Sequence, residues 1–188
     1  MMEQVSTDSI EAMLEDHHRL IEILQSTNSV SLQATVESAF AKTLLVAVAS
    51  YFENRITNAV LQIFQEETNG SDALVSFVRD QAVSRGYSSW FNWNSRNANQ
   101  FFGKFGQGFR SLMDAKIRND NVLAQSIHAF MEIGSIRNPL VHQNYAQFNL
   151  DKTVAEVHQL YESGVIFVEG FPLYIRQHIN DEQLDNTN

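Results

Sequence analysis

Apolar residues recur along most of this chain at the three-and-four spacing that marks one face of a helix. The first series runs Ile10, Met13, Leu14, His17, Leu20, Ile21, Leu24 and predicts an N-terminal helix, with Asp8 and Glu11 as its capping pair. A longer series from Leu32 to Phe64 predicts a second helix whose core face carries Val36, Phe40, Leu44, Val48, Phe52, Ile56, Val60 and Ile63. Asn69-Gly70 should end it, and Ser71 should cap a short helix through Leu74, Phe77 and Val78. Residues 85–99 (RGYSSWFNWNSRNAN) interrupt the pattern and read as a structured, Ser- and Asn-rich loop. Helical spacing returns with Phe101, Phe102, Phe105, Phe109, Leu112 and Met113, and again from Val122 to Ile133. A break is expected at Gly134-Ser135, with a new helix opening at Asn138-Pro139. A further series follows Asp151 through Val154, Val157, Leu160 and Tyr161. Gly170 and Pro172 lead us to expect a short, broken helix over 165–179 (VIFVEGFPLYIRQHI), followed by a polar tail at 181–188. No internal repeat is visible. The reading is one all-α domain over 1–180.

Composition narrows the function classes. A chain of 188 residues, 44% hydrophobic and 19% charged, can bury a core without covalent staples. The absence of cysteine excludes disulfides, thiol catalysis and Cys-type zinc sites. The apolar run at 44–52 is half the length of a membrane span, and the N-terminal residues lack the order of a signal peptide, so a cytoplasmic protein with no membrane partner is expected. A net charge of −9 argues against broad coating of nucleic acid, but not against a small basic site acting on one phosphate.

Arg137-Asn138-Pro139-Leu140-Val141-His142 holds the most informative chemistry. If Pro139 opens a helix, Asn138 is its N-cap before it is a substrate contact. Arg137 then sits at the positive helix end, with His142 one turn inside. A guanidinium suits a phosphate, and an imidazole moves protons near neutral pH. Together they could drive attack of a ribose 2′-hydroxyl on the adjacent phosphate without a metal or other cofactor. A capped helix beside a surface histidine explains the same residues.

The string 136–144 (IRNPLVHQN) resembles the signature of the HEPN superfamily of helical ribonucleases, an arginine followed after four to six residues by histidine. With the long early helix and the Asn-rich middle, the chain is most similar to the RiboL-PSP group over about 30–178. The resemblance implies a bundle of four to five main helices with short extra ones. It also implies a homodimer whose two Arg–His motifs share one cleft, and metal-independent cleavage of RNA leaving cyclic phosphate ends. Relatives act as toxins or in antiviral defence, some restrained by an antitoxin. Others are non-catalytic RNA-binding, interaction or regulatory modules. Arg137 and His142 would be the catalytic pair. Glu53, on the long helix, would orient His142 or pair with Arg137, or else be a surface charge beside Arg55.

Other features are weaker. Trp90, Phe91 and Trp93, near Arg85 and Arg96, could stack on RNA bases or form a buried aromatic plug. His17 and His18 diverge on a helix, and His128, His158 and His178 are scattered, so no metal site is expected. The phenylalanines from Phe101 to Phe109 belong to the core or to a dimer interface. Gly103, Gly106 and Gly108 lack the context of a phosphate loop.

Overall fold

The computed structural model describes residues 7–142 and 145–185, with the backbone alone at positions 7, 8, 84, 85 and 185. No described residue lies in a strand, and the chain folds as an all-α bundle. Among the described residues five long helices carry it: α1 (Thr7–Ser26), α2 (Val30–Glu67), α6 (Gly106–Asn119), α7 (Asn121–His142) and α8 (Val154–Asp185). Three short ones lie between α2 and α6: α3 (Asp72–Val78), α4 (Ser84–Trp90) and α5 (Asn99–Gly103), with a π-helical turn (Arg79–Val83) joining α3 to α4. The helices that periodicity predicts over the first 80 residues form where expected. The capping pair at Asp8 and Glu11 lies outside what can be described, since the side chain of Asp8 is not among the described ones.

The two Asn turns have a common cause. After α1, Asn28 takes φ 54°, and after α2, Asn69 and Gly70 take φ 51° and 73°. In each turn two amides reach back to carbonyls of the last turn: Ser29 to Leu24 and Asn28 to Gln25, then Gly70 to Gln65 and Asn69 to Glu66. This is the Schellman arrangement, which satisfies carbonyls that a helix end leaves unpaired. α1 therefore folds back along α2 and buries Ile10 and Leu14.

α8 packs against both α2 and α7. Where it meets α7 and α2, Gly164 leaves no room for a side chain: an added Cβ would lie 2.8 Å from the Phe52 ring. Ser126 of α7, fully buried, accepts the Phe167 amide at 2.6 Å there. Phe52, Phe101, Phe102, Phe109, Phe130, Phe167 and Phe171 fill the interior, so of the run from Phe101 to Phe109 three rings are core and Phe105 is half-buried against it. Burying each ring contributes roughly 1.5–3 kcal/mol. α2 carries an 18-residue window of mean hydropathy 1.3, enough by length and composition to cross a bilayer. In the bundle, its Leu44, Leu45, Val48, Phe52 and Ile56 are buried.

Several expected boundaries are corrected. Gly134-Ser135 does not break a helix and Pro139 does not open one, because α7 is continuous through both. The apolar face of α7 runs on through Ile127, Phe130, Ile133, Ile136 and Leu140, and burying it outweighs the one hydrogen bond that Pro139 cannot make. Residues 165–179 are likewise continuous within α8, which holds Pro172 internally and runs into the polar tail as far as Asp185. The segment 85–99 is a loop only from Phe91 to Ala98, its first part being α4.

Candidate active site

α7 brings Arg137 to face α2. Its guanidinium lies 3.9 Å from the Glu53 carboxylate and 3.5 Å from the Asn138 side-chain oxygen. Both charged groups are about one-third exposed (33% and 38%), so they line an opening and are not sealed in the core. Glu53 pairs across helices with Arg137, whereas Arg55 turns to Glu169 of α8.

The cleft around this pair is narrow, about 20 Å³, and is walled by Phe52, Tyr87, Ser88, Trp93, Gly134 and Asn138. That volume holds about one water-sized group. Trp93 sits over Gly134 so closely that a Cβ there would be 2.0 Å from the ring, and its indole N–H donates to the Ser88 carbonyl at 3.1 Å. Gly134 thus serves α7 as a notch for Trp93 and not as a break. Burial, and next the Glu53 charge, push the Tyr87 phenol far above its ordinary range, so it stays a neutral hydroxyl beside the ion pair.

His142 stands apart from this cleft. It is exposed at the last residue of α7. Five positions along one helix turn the side chain by roughly 140°, so Arg137 and His142 point away from each other within one chain. The expectation that the motif sits at a helix N-terminus, with Asn138 as its cap, is corrected. The motif occupies the last turns of α7, where the helix dipole is negative and the free backbone groups are carbonyls. Any phosphate there would rest on the guanidinium and not on backbone N–H groups.

The aromatic loop divides. Trp90 and Phe91 are buried (6% and 3% exposed) against Phe101 and Phe130, which is the plug reading for those two. Trp93 is half-buried and forms one wall of the Arg137 cleft. Arg96 is exposed and lies on the other side of Trp93, in a polar groove of about 630 Å³ with His128, Glu132 and Ser135. The Arg85 side chain lies outside the described residues. Among the described residues, no group of three or more His, Asp or Glu is placed to hold a metal ion.

Tyr87, Ser88 and Gly134 are cleft residues that sequence reasoning did not assign. Tyr87 and Ser88 lay inside the stretch read as a loop. Had α4 been read, its one-turn register would have put Tyr87 on the side of Trp90 and Phe91. Nothing local marks Gly134 as a notch, because its partner Trp93 is remote in sequence.

No curated protein and no solved structure matched the chain. A family model, RiboL-PSP-HEPN, matches residues 13–177, from within α1 to near the end of α8. The match contains the whole cleft, both the Arg137 and the Glu53 sides of it, and His142. The chain belongs to the RiboL-PSP-HEPN family of HEPN-type domains.

Proposed function

We propose that this protein is a metal-independent endoribonuclease acting as a homodimer. Membership of a HEPN-type family gives coarse support for an RNA-directed function. The observation that carries the finer reading is the Arg137–Glu53 pair at the mouth of a cleft, with His142 exposed at the end of the same helix. At 3.9 Å the ion pair is loose enough for Arg137 to exchange Glu53 for a phosphate.

In this mechanism one imidazole takes the proton from the ribose 2′-hydroxyl as the oxygen attacks phosphorus. The 5′-oxygen leaves and takes a proton from a second imidazole, while the guanidinium stabilises the charge on the phosphoryl oxygens. One chain supplies a single motif histidine, and its side chain diverges from Arg137. A second copy would supply the other His142 and complete the acid–base pair. Asn138 would fix the Arg137 guanidinium, and Glu53 would hold it until substrate arrives.

The test is RNA cleavage in EDTA. Wild type should leave 2′,3′-cyclic phosphate ends, and His142→Ala and Arg137→Ala should each lower the rate by at least 10²-fold while remaining folded. Intact RNA with all three proteins would overturn the nuclease reading. A non-catalytic RNA-binding module is the second reading, favoured by the narrowness of the cleft. It predicts RNA affinity that survives His142→Ala.

A further inference from the structure

The polar groove beside Trp93 takes no part in the mechanism above. Trp93 lines both this groove and the Arg137–Glu53 cleft, so the indole stands as a ridge between two openings on α7. At about 630 Å³ the groove has the room that the cleft, at about 20 Å³, lacks.

The floor of the groove is one stripe of α7. His128 and Ser135 line it, and His142 follows at the same seven-residue spacing. At about 3.6 residues per turn, seven residues bring a side chain back to within roughly 20° of its starting direction. All three side chains are exposed. Arg137, two positions past Ser135, points roughly 200° away from it, and it faces α2. The Arg137 cleft therefore leaves His142 out, whereas the stripe under the groove leads to it, about 10 Å along the helix axis from Ser135.

Charge is distributed unequally here. Arg96, on the loop that carries Trp93, is exposed, and among the described residues no carboxylate pairs with it. Glu132, the carboxylate of the groove, is held by Lys152 at 2.7 Å. The Ser95 hydroxyl is committed to the Asn97 carbonyl at 2.9 Å, which leaves Asn94, His128 and Ser135 as uncharged hydrogen-bonding groups. Beyond His128 and Glu132 the surface continues into a second opening. There Glu156, tied to Thr153 at 2.8 Å, adds a further carboxylate. An anionic chain is thus received between Arg96 and His142 and turned away past His128. One guanidinium among neutral polar groups suits a single backbone phosphate. A duplex would present phosphates on two strands, for which the groove has only Arg96.

We propose that this groove seats the single-stranded RNA flanking the phosphodiester presented to His142, with one backbone phosphate on Arg96 and the adjoining base against Asn94, His128 and Ser135. The inference rests on the RNA-directed reading above and adds to it a contact outside the reacting groups.

The probe is a fluorescein-labelled pool of random 12-nucleotide single-stranded RNA, titrated with the full chain carrying His142→Ala so that cleavage does not intervene. Arg96→Ala in that background should weaken binding about fivefold. It should also shrink the slope of log Kd against log salt by about 0.7, the counterion release of one single-strand phosphate. Arg96→Lys should restore the slope. An unchanged affinity and slope in Arg96→Ala would overturn the groove. RNA that does not bind at all would overturn it too, and would leave the groove to a protein partner. If Arg96→Ala disturbs the loop, Ser135→Glu sets a carboxylate on the exposed floor of the groove, and an unaltered affinity there would count against the site. Cleavage of the same pool by the chain with His142 intact separates this inference from the nuclease reading. Arg96→Ala should raise KM with kcat changed by no more than about twofold. Intact RNA whose binding still depends on Arg96 would remove the nuclease and keep the groove. Cleavage with KM unchanged in Arg96→Ala would keep the nuclease and remove the groove.

Discussion

A methyl group at Gly134 would meet the Trp93 ring at 2.0 Å, and the clash falls on a rigid indole and not on a flexible chain end. Gly134→Ala should therefore expel Trp93 from its notch, with a cost of about 1–3 kcal/mol by analogy with overpacked cores. The check is tryptophan fluorescence, since a released Trp93 should shift the emission to longer wavelength. An unchanged spectrum and unchanged stability would show that the ring does not seat there. The same residue-scale logic separates Glu53 from Arg55. Both are charged residues of α2 two positions apart, yet one faces α7 and the other α8, because each residue on a helix is rotated by roughly 100° from the one before it.

Elements are tied to one another by a few polar contacts inside an apolar crossing. Ser126 is the clearest: its hydroxyl donates to the Gly164 carbonyl at 3.4 Å and accepts the Phe167 amide at 2.6 Å, so it fixes α7 against α8. Ser126→Ala should cost about 1–3 kcal/mol in denaturant unfolding, the penalty for a buried hydrogen bond lost. A change below about 0.5 kcal/mol would mean that the crossing is held by packing alone. The continuity of α7 belongs to this scale as well. Glycine and proline are helix punctuation only where burial does not override them, and here Leu140, fully buried beyond Pro139, anchors the last turn. The consequence reaches the site, since it puts Arg137 and His142 at a helix C-terminus.

Across the whole molecule, α2 is joined to α8 at two ion pairs. Glu169 accepts the Tyr51 hydroxyl at 2.9 Å and the Arg55 Nε at 2.7 Å, and Arg176 donates to Glu66 at 2.9 and 3.0 Å. Burial raises the Glu169 pKa, but the hydrogen bonds from Arg55 and Tyr51 outweigh it, leaving the carboxyl below its ordinary value of 4.5. Glu66 is lowered by Arg176. The unfolded chain then binds these protons more readily than the folded one. Their contribution is present above about pH 4.5 and is lost as pH falls through the lower folded values. Thermal unfolding followed from pH 7 to 3 should show this loss, and Glu169→Gln should flatten it. At neutral pH Glu169→Gln should cost no more than about 1 kcal/mol, because both partners are substantially exposed and screened. An identical pH profile in the variant would remove Glu169 from the account.

The sequence by itself determined the helical class, the course of α1 and α2, the Asn69-Gly70 turn after α2 and the Arg–His motif, since each is written in local spacing or local turn chemistry. It also pointed to Glu53, which lies near the apolar face of α2. The tertiary structure alone decided that α7 and α8 run unbroken through Gly134, Pro139 and Pro172. It also set Trp93, Tyr87 and Glu53 around Arg137, and left His142 outside the cleft. The reason is physical: a helix break costs or saves a few kcal/mol locally, while the burial that overrides it comes from partners far away in the chain.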